Sequence, residues 1–197
     1  RERDPDYWRV YGEGLKAVFS ARQIFSNWQF IPYSEFPEFD ETVLGIDFGY
    51  SNDELAILEV AKVNDRLYVH ELCYQKGMTN QDIADFIKEK NLDQVLAFAD
   101  SAEPKSIEEL KRLGCWVKPA VKGQGSINAG ISLLKEFDIY VSQQSTNLAR
   151  EYSTYYWTEL KDGTIINKPI DRNNHLMDAL RYAVYSQYSK RNDFFVI

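Results

Sequence analysis

With 197 residues, 14% aromatic and 27% charged, the chain can close a sizeable core, which excludes a disordered polymer. No apolar run approaches the roughly 18 residues of a membrane span and no secretory leader is visible, so no membrane partner is expected. The net charge of −7 excludes a protein that coats nucleic acid by bulk charge.

Residues 1 to about 40 differ in character from the remainder of the chain. The opening Arg1-Glu2-Arg3-Asp4 reads as a cut from a longer polypeptide. The stretch Tyr7 to Gly14 is aromatic and punctuated by glycine, and Ile24 to Ile31 is expected to form a short strand pair. Pro32, Pro37 and the acids from Glu35 to Glu41 interrupt it. This portion reads as an interdomain connector that packs its aromatics on the domain beginning near residue 41.

From Val43 the pattern becomes regular. Strands are predicted over Val43–Phe48, Glu54–Val63 and Arg66–Tyr74, with a tight turn at Asn64-Asp65. Thr79-Asn80-Gln81-Asp82 offers a capping box to a helix that carries Ile83, Phe86 and Ile87 on one face. Val95–Ala99 reads as a buried strand, Pro104–Leu113 as a helix closed by Gly114, and Trp116–Val121 as the next strand. A glycine loop, Lys122-Gly123-Gln124-Gly125-Ser126, leads to a helix over about Ile127–Glu136. Then come a strand at Ile139–Val141, a helix from Asn147 to Tyr156, a hairpin around Asp162-Gly163, and an amphipathic helix from about Asn174 to Ser189. This order implies an α/β fold whose mixed central sheet combines antiparallel hairpins with parallel strands, flanked by helices. Cys73 and Cys115 lie in apolar stretches and are expected as buried thiols, and two Cys with two His give no zinc-finger spacing.

Two predicted strands end on an acid, Asp47 and Asp100. If the strands are parallel neighbours, the two carboxylates face one another at the edge where open sheets bind ligands. On the last helix Asn174, His175 and Asp178 share a face, being three and four residues apart. A carboxylate pair at 4 Å repels by roughly 4 kcal/mol at an effective dielectric of 20. A cluster of three is tolerable only with a trapped proton or a bound cation. Oxygen ligands without thiolate favour Mg²⁺ or Mn²⁺, and two such ions suit phosphodiester cleavage.

Four strings in this order resemble the C-terminal nuclease domain of tailed-phage terminase large subunits. They are Leu44-Gly45-Ile46-Asp47-Phe48-Gly49, Ala99 to Ile107, Lys122 to Ile127, and Asn174 to Tyr182. The leader Asp4 to Tyr11 is similar to the segment joining that domain to its ATPase half. The resemblance implies an RNase H-like fold and two-metal cleavage of concatemeric double-stranded DNA, with Asp47, Asp100 and Asp178 as metal acids. It also implies an ATPase domain in the same polypeptide, a small terminase subunit and a portal protein as partners, and the cytoplasm of a bacterial host. No G-x-x-x-x-G-K-[ST] string occurs, so the ATPase itself lies elsewhere.

His175 is a candidate metal ligand or a donor to the scissile phosphate, with a core histidine as the alternative. Asp53 is a candidate accessory ligand or an ordinary turn acid. Glu103 reads as a helix-start acid and His70 as structural. Lys122, Lys105, Gly123 and Gly125 are candidate DNA contacts, through backbone amides and positive charge. Three rival readings stay open: a sugar-kinase or actin-like ATPase, a resolvase or transposase of the same fold, and a docking module without activity.

Overall fold

The computed structural model describes residues 22–49 and 53–189; the aromatic leader before residue 22 and residues 50–52 and 190–197 lie outside them. Its framework is a seven-stranded sheet with the order β1-β7-β4-β3-β2-β5-β6. The strands are β1 Gln29–Ile31, β2 Thr42–Asp47, β3 Leu55–Val63, β4 Arg66–Gln75, β5 Ala97–Ala99, β6 Val117–Pro119 and β7 Asp138–Ser142. β2, β3 and β4 are antiparallel neighbours, whereas β5, β6, β7 and β1 join in parallel. This is the mixed sheet expected from the strand order, antiparallel hairpins joined to parallel strands.

Among the described residues five α-helices cover the faces: α1 Asn80–Glu89, α2 Pro104–Arg112, α3 Ser126–Leu134, α4 Thr146–Thr154 and α5 His175–Tyr188. Strand alternation sorts the core in two. Leu44 and Ile46 of β2 pack with Ile83, Ile87, Ile107 and Leu110 of α1 and α2. Val43 instead packs with Leu58, Val60, Phe98 and the α5 residues Leu176, Ala179, Leu180 and Ala183. Each buried Leu or Ile contributes about 1.5–3 kcal/mol relative to exposure. The period of two puts Asp47 on the same side as Val43, and so toward α5.

Several local expectations hold in detail. Thr79 and Asp82 exchange both hydrogen bonds of the capping box. Pro104 opens α2, and Gly114 follows it with φ +92°. Cys73 and Cys115 are free and buried. His70 bonds the Ser142 hydroxyl through Nδ1 at 2.7 Å and lies against the Tyr33 ring. The predicted hairpin forms a separate two-stranded sheet of β8 Trp157–Glu159 and β9 Ile165–Pro169.

The segment Ile24 to Ile31 differs from its predicted strand pair. Only Gln29–Ile31 is a strand, and it pairs in parallel with β7 at the sheet's edge. Ahead of it, Ile24, Phe25 and Trp28 are buried in the α5-side core. Trp28 stacks on Tyr152 at 4.7 Å and Phe25 on Tyr155 at 6.1 Å. The aromatic content that suggested local pairing is used instead for packing against α4.

Candidate metal centre

β2 and β5 are parallel and in register, with Gly45 opposite Phe98 and Ile46 opposite Ala99. The next residues are Asp47 and Asp100, and the Asp100 amide donates to the Ile46 carbonyl at 3.2 Å. Continued alternation sends both acids to the α5 side. There Gly45 is indispensable: a Cβ on it would sit 2.1 Å from the Ala179 carbonyl oxygen. Its absence lets the α5 backbone lie directly on β2, on the side to which both strand-end acids point.

Tyr182 stands one turn past Asp178 on α5. Burial raises its phenol pKa strongly, and Asp178, Asp47 and Asp100 each push it further. The hydroxyl therefore stays protonated, and it donates to Asp100 Oδ2 at 3.2 Å. The Asp47 carboxyl is pushed up to about 6, chiefly by burial. The His175 hydrogen bond opposes this shift, while Asp178 and Asp100 add to it.

Each acid also meets a basic side chain of the chain. His175 Nδ1 lies 2.9 Å from Asp47 Oδ2, and its Nε2 is 3.7 Å from Glu54. That bond to Asp47 is the main reason the His175 pKa is raised, against the opposing effect of burial. Lys122 Nζ bonds Asp100 Oδ1 and lies over the Tyr182 ring at 4.8 Å. Burial works against the Asp100 charge, but Lys122, the Ala102 amide and Tyr182 together hold its pKa below the usual value. Arg181 donates to Asp178 at 2.8 Å.

With these pairings, no group of three or more His, Cys, Asp or Glu side chains forms a ready metal cage among the described residues. The donor chemistry nevertheless suits a hard divalent cation. It comprises three carboxylates and one imidazole, and the two cysteines belong to the opposite core. At Asp47 burial outweighs the His175 contact, and a divalent ion there would favour the charged carboxylate.

Asp178, Asp100 and Lys122 line a cleft of about 590 Å³, with Gly123, Gly125 and the Ser126 end of α3. Asn167 and Lys168 of β9 line it as well. Gly125 has φ +80°, which lets the chain turn directly into α3. Asp53 is outside this cleft and lines another depression with Glu54, Lys76 and His175. Lys105 is outside it too, beside Glu108, Glu109 and Arg112 on α2.

Sequence reasoning missed Arg181, Tyr182, Glu54 and Lys168. Arg181 and Tyr182 had a readable signal, standing three and four residues past Asp178 on one helix. Lys168 and Glu54 had none, because hairpin placement and the approach of His175 are tertiary.

Residues 47–186 match the family model described as the terminase RNase H-like domain. The chain is 33% identical over 156 residues to the terminase large subunit of Bacillus phage SPP1, covering 76% of this chain and 37% of the relative. It is 28% identical over 193 residues to the PBSX phage terminase large subunit of Bacillus subtilis strain 168, covering 93% and 44%. The chain thus spans less than half the length of the curated relatives it matches. The crystal structure of the SPP1 g2p large-terminase nuclease domain with bound Mn superposes with a TM-score of 0.73 at 32% identity. That match covers 81% of this chain and 96% of that one.

Proposed function

The chain belongs to the terminase RNase H-like domain family, and from that premise we propose that it is the divalent-metal-dependent endonuclease of a phage DNA-packaging motor. Its substrate is concatemeric double-stranded viral DNA, cut with low sequence specificity. The observation that supports this reading is the pair of in-register strand ends that lead to Asp47 and Asp100, with Asp178 on the helix packed over them and close enough to raise the Asp47 pKa.

Asp47, Asp100 and Asp178 would hold two Mg²⁺ or Mn²⁺ ions, with His175 beside them and Asp53 as an accessory acid. Bound there, such ions activate a water and stabilise the departing oxygen. The chain's own groups orient the substrate. Lys122 and the backbone of Gly123 and Gly125 hold a phosphate at the mouth of the cleft. Lys105, on the neighbouring helix, serves a flanking phosphate. Tyr182 fixes the Asp100 carboxylate by its hydroxyl. His175, hydrogen-bonded to Asp47 through Nδ1, holds that carboxylate in place.

The short span relative to its relatives supports an ATPase domain in the same full-length polypeptide. A small terminase subunit, a portal protein and the cytoplasm of a bacterial host belong to the same proposal. The test is supercoiled plasmid with Mg²⁺, Mn²⁺ or chelator, wild type beside Asp100→Asn. The wild type is expected to nick and linearise with either metal and to stop in chelator, while the variant stays at background. A variant that cuts at the wild-type rate overturns the assignment.

A further inference from the structure

We infer that Glu151 is a positioning residue for the acid centre, acting through the first turn of α5. Asn174, at the N-cap of that helix, makes no side-chain cap hydrogen bond. The amides of Leu176 and Met177 donate instead to Glu151 Oε2, at 2.8 and 3.0 Å, from a side chain on α4. Glu151 is only 1% exposed. Unpaired first-turn amides buried at this depth are costly, so the carboxylate fixes where α5 begins. The two capped residues lie between His175 and Asp178.

The same device recurs one helix earlier. Glu71 of β4 accepts from the Asn147 and Leu148 amides at the start of α4, both at 3.0 Å. The Ser145 hydroxyl accepts from the Glu71 amide at 2.8 Å. The central sheet therefore holds α4 through Glu71, and α4 holds the acid-bearing turn of α5 through Glu151. This rests on the proposed nuclease reading for its consequence, but not for its geometry.

Two substitutions test it. Glu151→Ala removes the acceptor; Glu151→Gln keeps one oxygen for the amides, discards the charge and puts an NH2 in place of the second oxygen. Amide hydrogen exchange in chelator reads the cap directly, and Mn²⁺ titration by calorimetry, well below each variant's melting temperature, reads the centre. Glu151→Ala is expected to speed exchange at Leu176 and Met177 and to weaken Mn²⁺ binding on the order of tenfold or more. Glu151→Gln is expected to restore both to near wild type, while its kcat on plasmid recovers with little change in KM. Unchanged exchange in Glu151→Ala overturns the cap. Faster exchange with wild-type Mn²⁺ affinity overturns the positioning role and leaves a merely structural one. If the wild type binds no Mn²⁺, the nuclease reading falls, and with it the positioning role, while the exchange data still decide the cap.

Discussion

Asp47 is a buried acid whose surroundings oppose its charge, and the sign of that opposition can be worked through. Its folded-state pKa is raised from 3.8 to about 6. Between those values the folded chain keeps a proton that the unfolded chain has released. Stability therefore falls as pH rises through this window, and the full cost is present above it. At about 1.4 kcal/mol per unit, the ceiling is about 3 kcal/mol at neutral pH. Glu151, pushed up to about 7 chiefly by burial, has the same sign. So does His175, whose raised pKa gives stability below its unfolded value that is lost as pH rises through the folded one. His70, lowered by burial, works the other way. In chelator the domain is thus expected to melt higher at pH 5.5 than at pH 8. Asp47→Asn should flatten that slope and leave the protein at least as stable at pH 8. An unchanged slope in the variant would refute the account. Mn²⁺ at about 100 times its Kd should stabilise the wild type by about 2.7 kcal/mol, and the variant much less.

Elements place these residues, and the contact between α5 and β2 is the tightest joint. A methyl on Gly45 meets carbonyl backbone, which cannot swing aside as a side chain can. Gly45→Ala should cost about 3 kcal/mol, at the upper end of overpacking effects, and lower metal-dependent cutting because Asp178 moves with the helix. Thr79→Ala makes a useful contrast. It removes the α1 capping box, far from the acids, and should cost about 1 kcal/mol with cutting unaltered below the melting transition. Urea unfolding and plasmid cleavage on both variants check the pair. Equal effects on cutting per unit of lost stability would refute the joint. Much of this scale was legible in the amino acids. Thr79, Asp82 and Pro104 signal helix starts through local chemistry, and alternation in β2 signals which side Asp47 faces. Glu151 was not legible, because a helical Glu carries no mark that its carboxyl ends on the amides of another helix.

At the scale of the whole molecule, two features escape local pattern. The first is charge. The chain is net −7, yet Lys122, Lys168 and Arg181 meet on one cleft. Lys122 stands far from the other two in sequence order, which hides the patch. The register of the strands that end at Asp47 and Asp100 was legible, while the ion pair at Asp100 was not, because Lys122 reaches Asp100 from a loop on another strand. The second feature is the edge of the sheet. A three-residue strand has no periodicity to read, so β1 looked like part of a local pair rather than the partner of β7. Its placement bears on where a stable nuclease fragment can begin. Cutting the chain at residue 41 removes Ile24, Phe25 and Trp28, which are 3%, 3% and 8% exposed, and uncovers the β7 edge. Losing one buried Phe or Trp side chain typically costs about 3–5 kcal/mol, a large part of a domain's stability. A fragment of residues 41–197 is therefore expected to melt far below the full chain or to aggregate, whereas one of residues 22–197 keeps these contacts. Differential scanning calorimetry on both decides it. A 41–197 fragment that melts with the full chain would mean that the aromatic segment lies on the core without contributing to it.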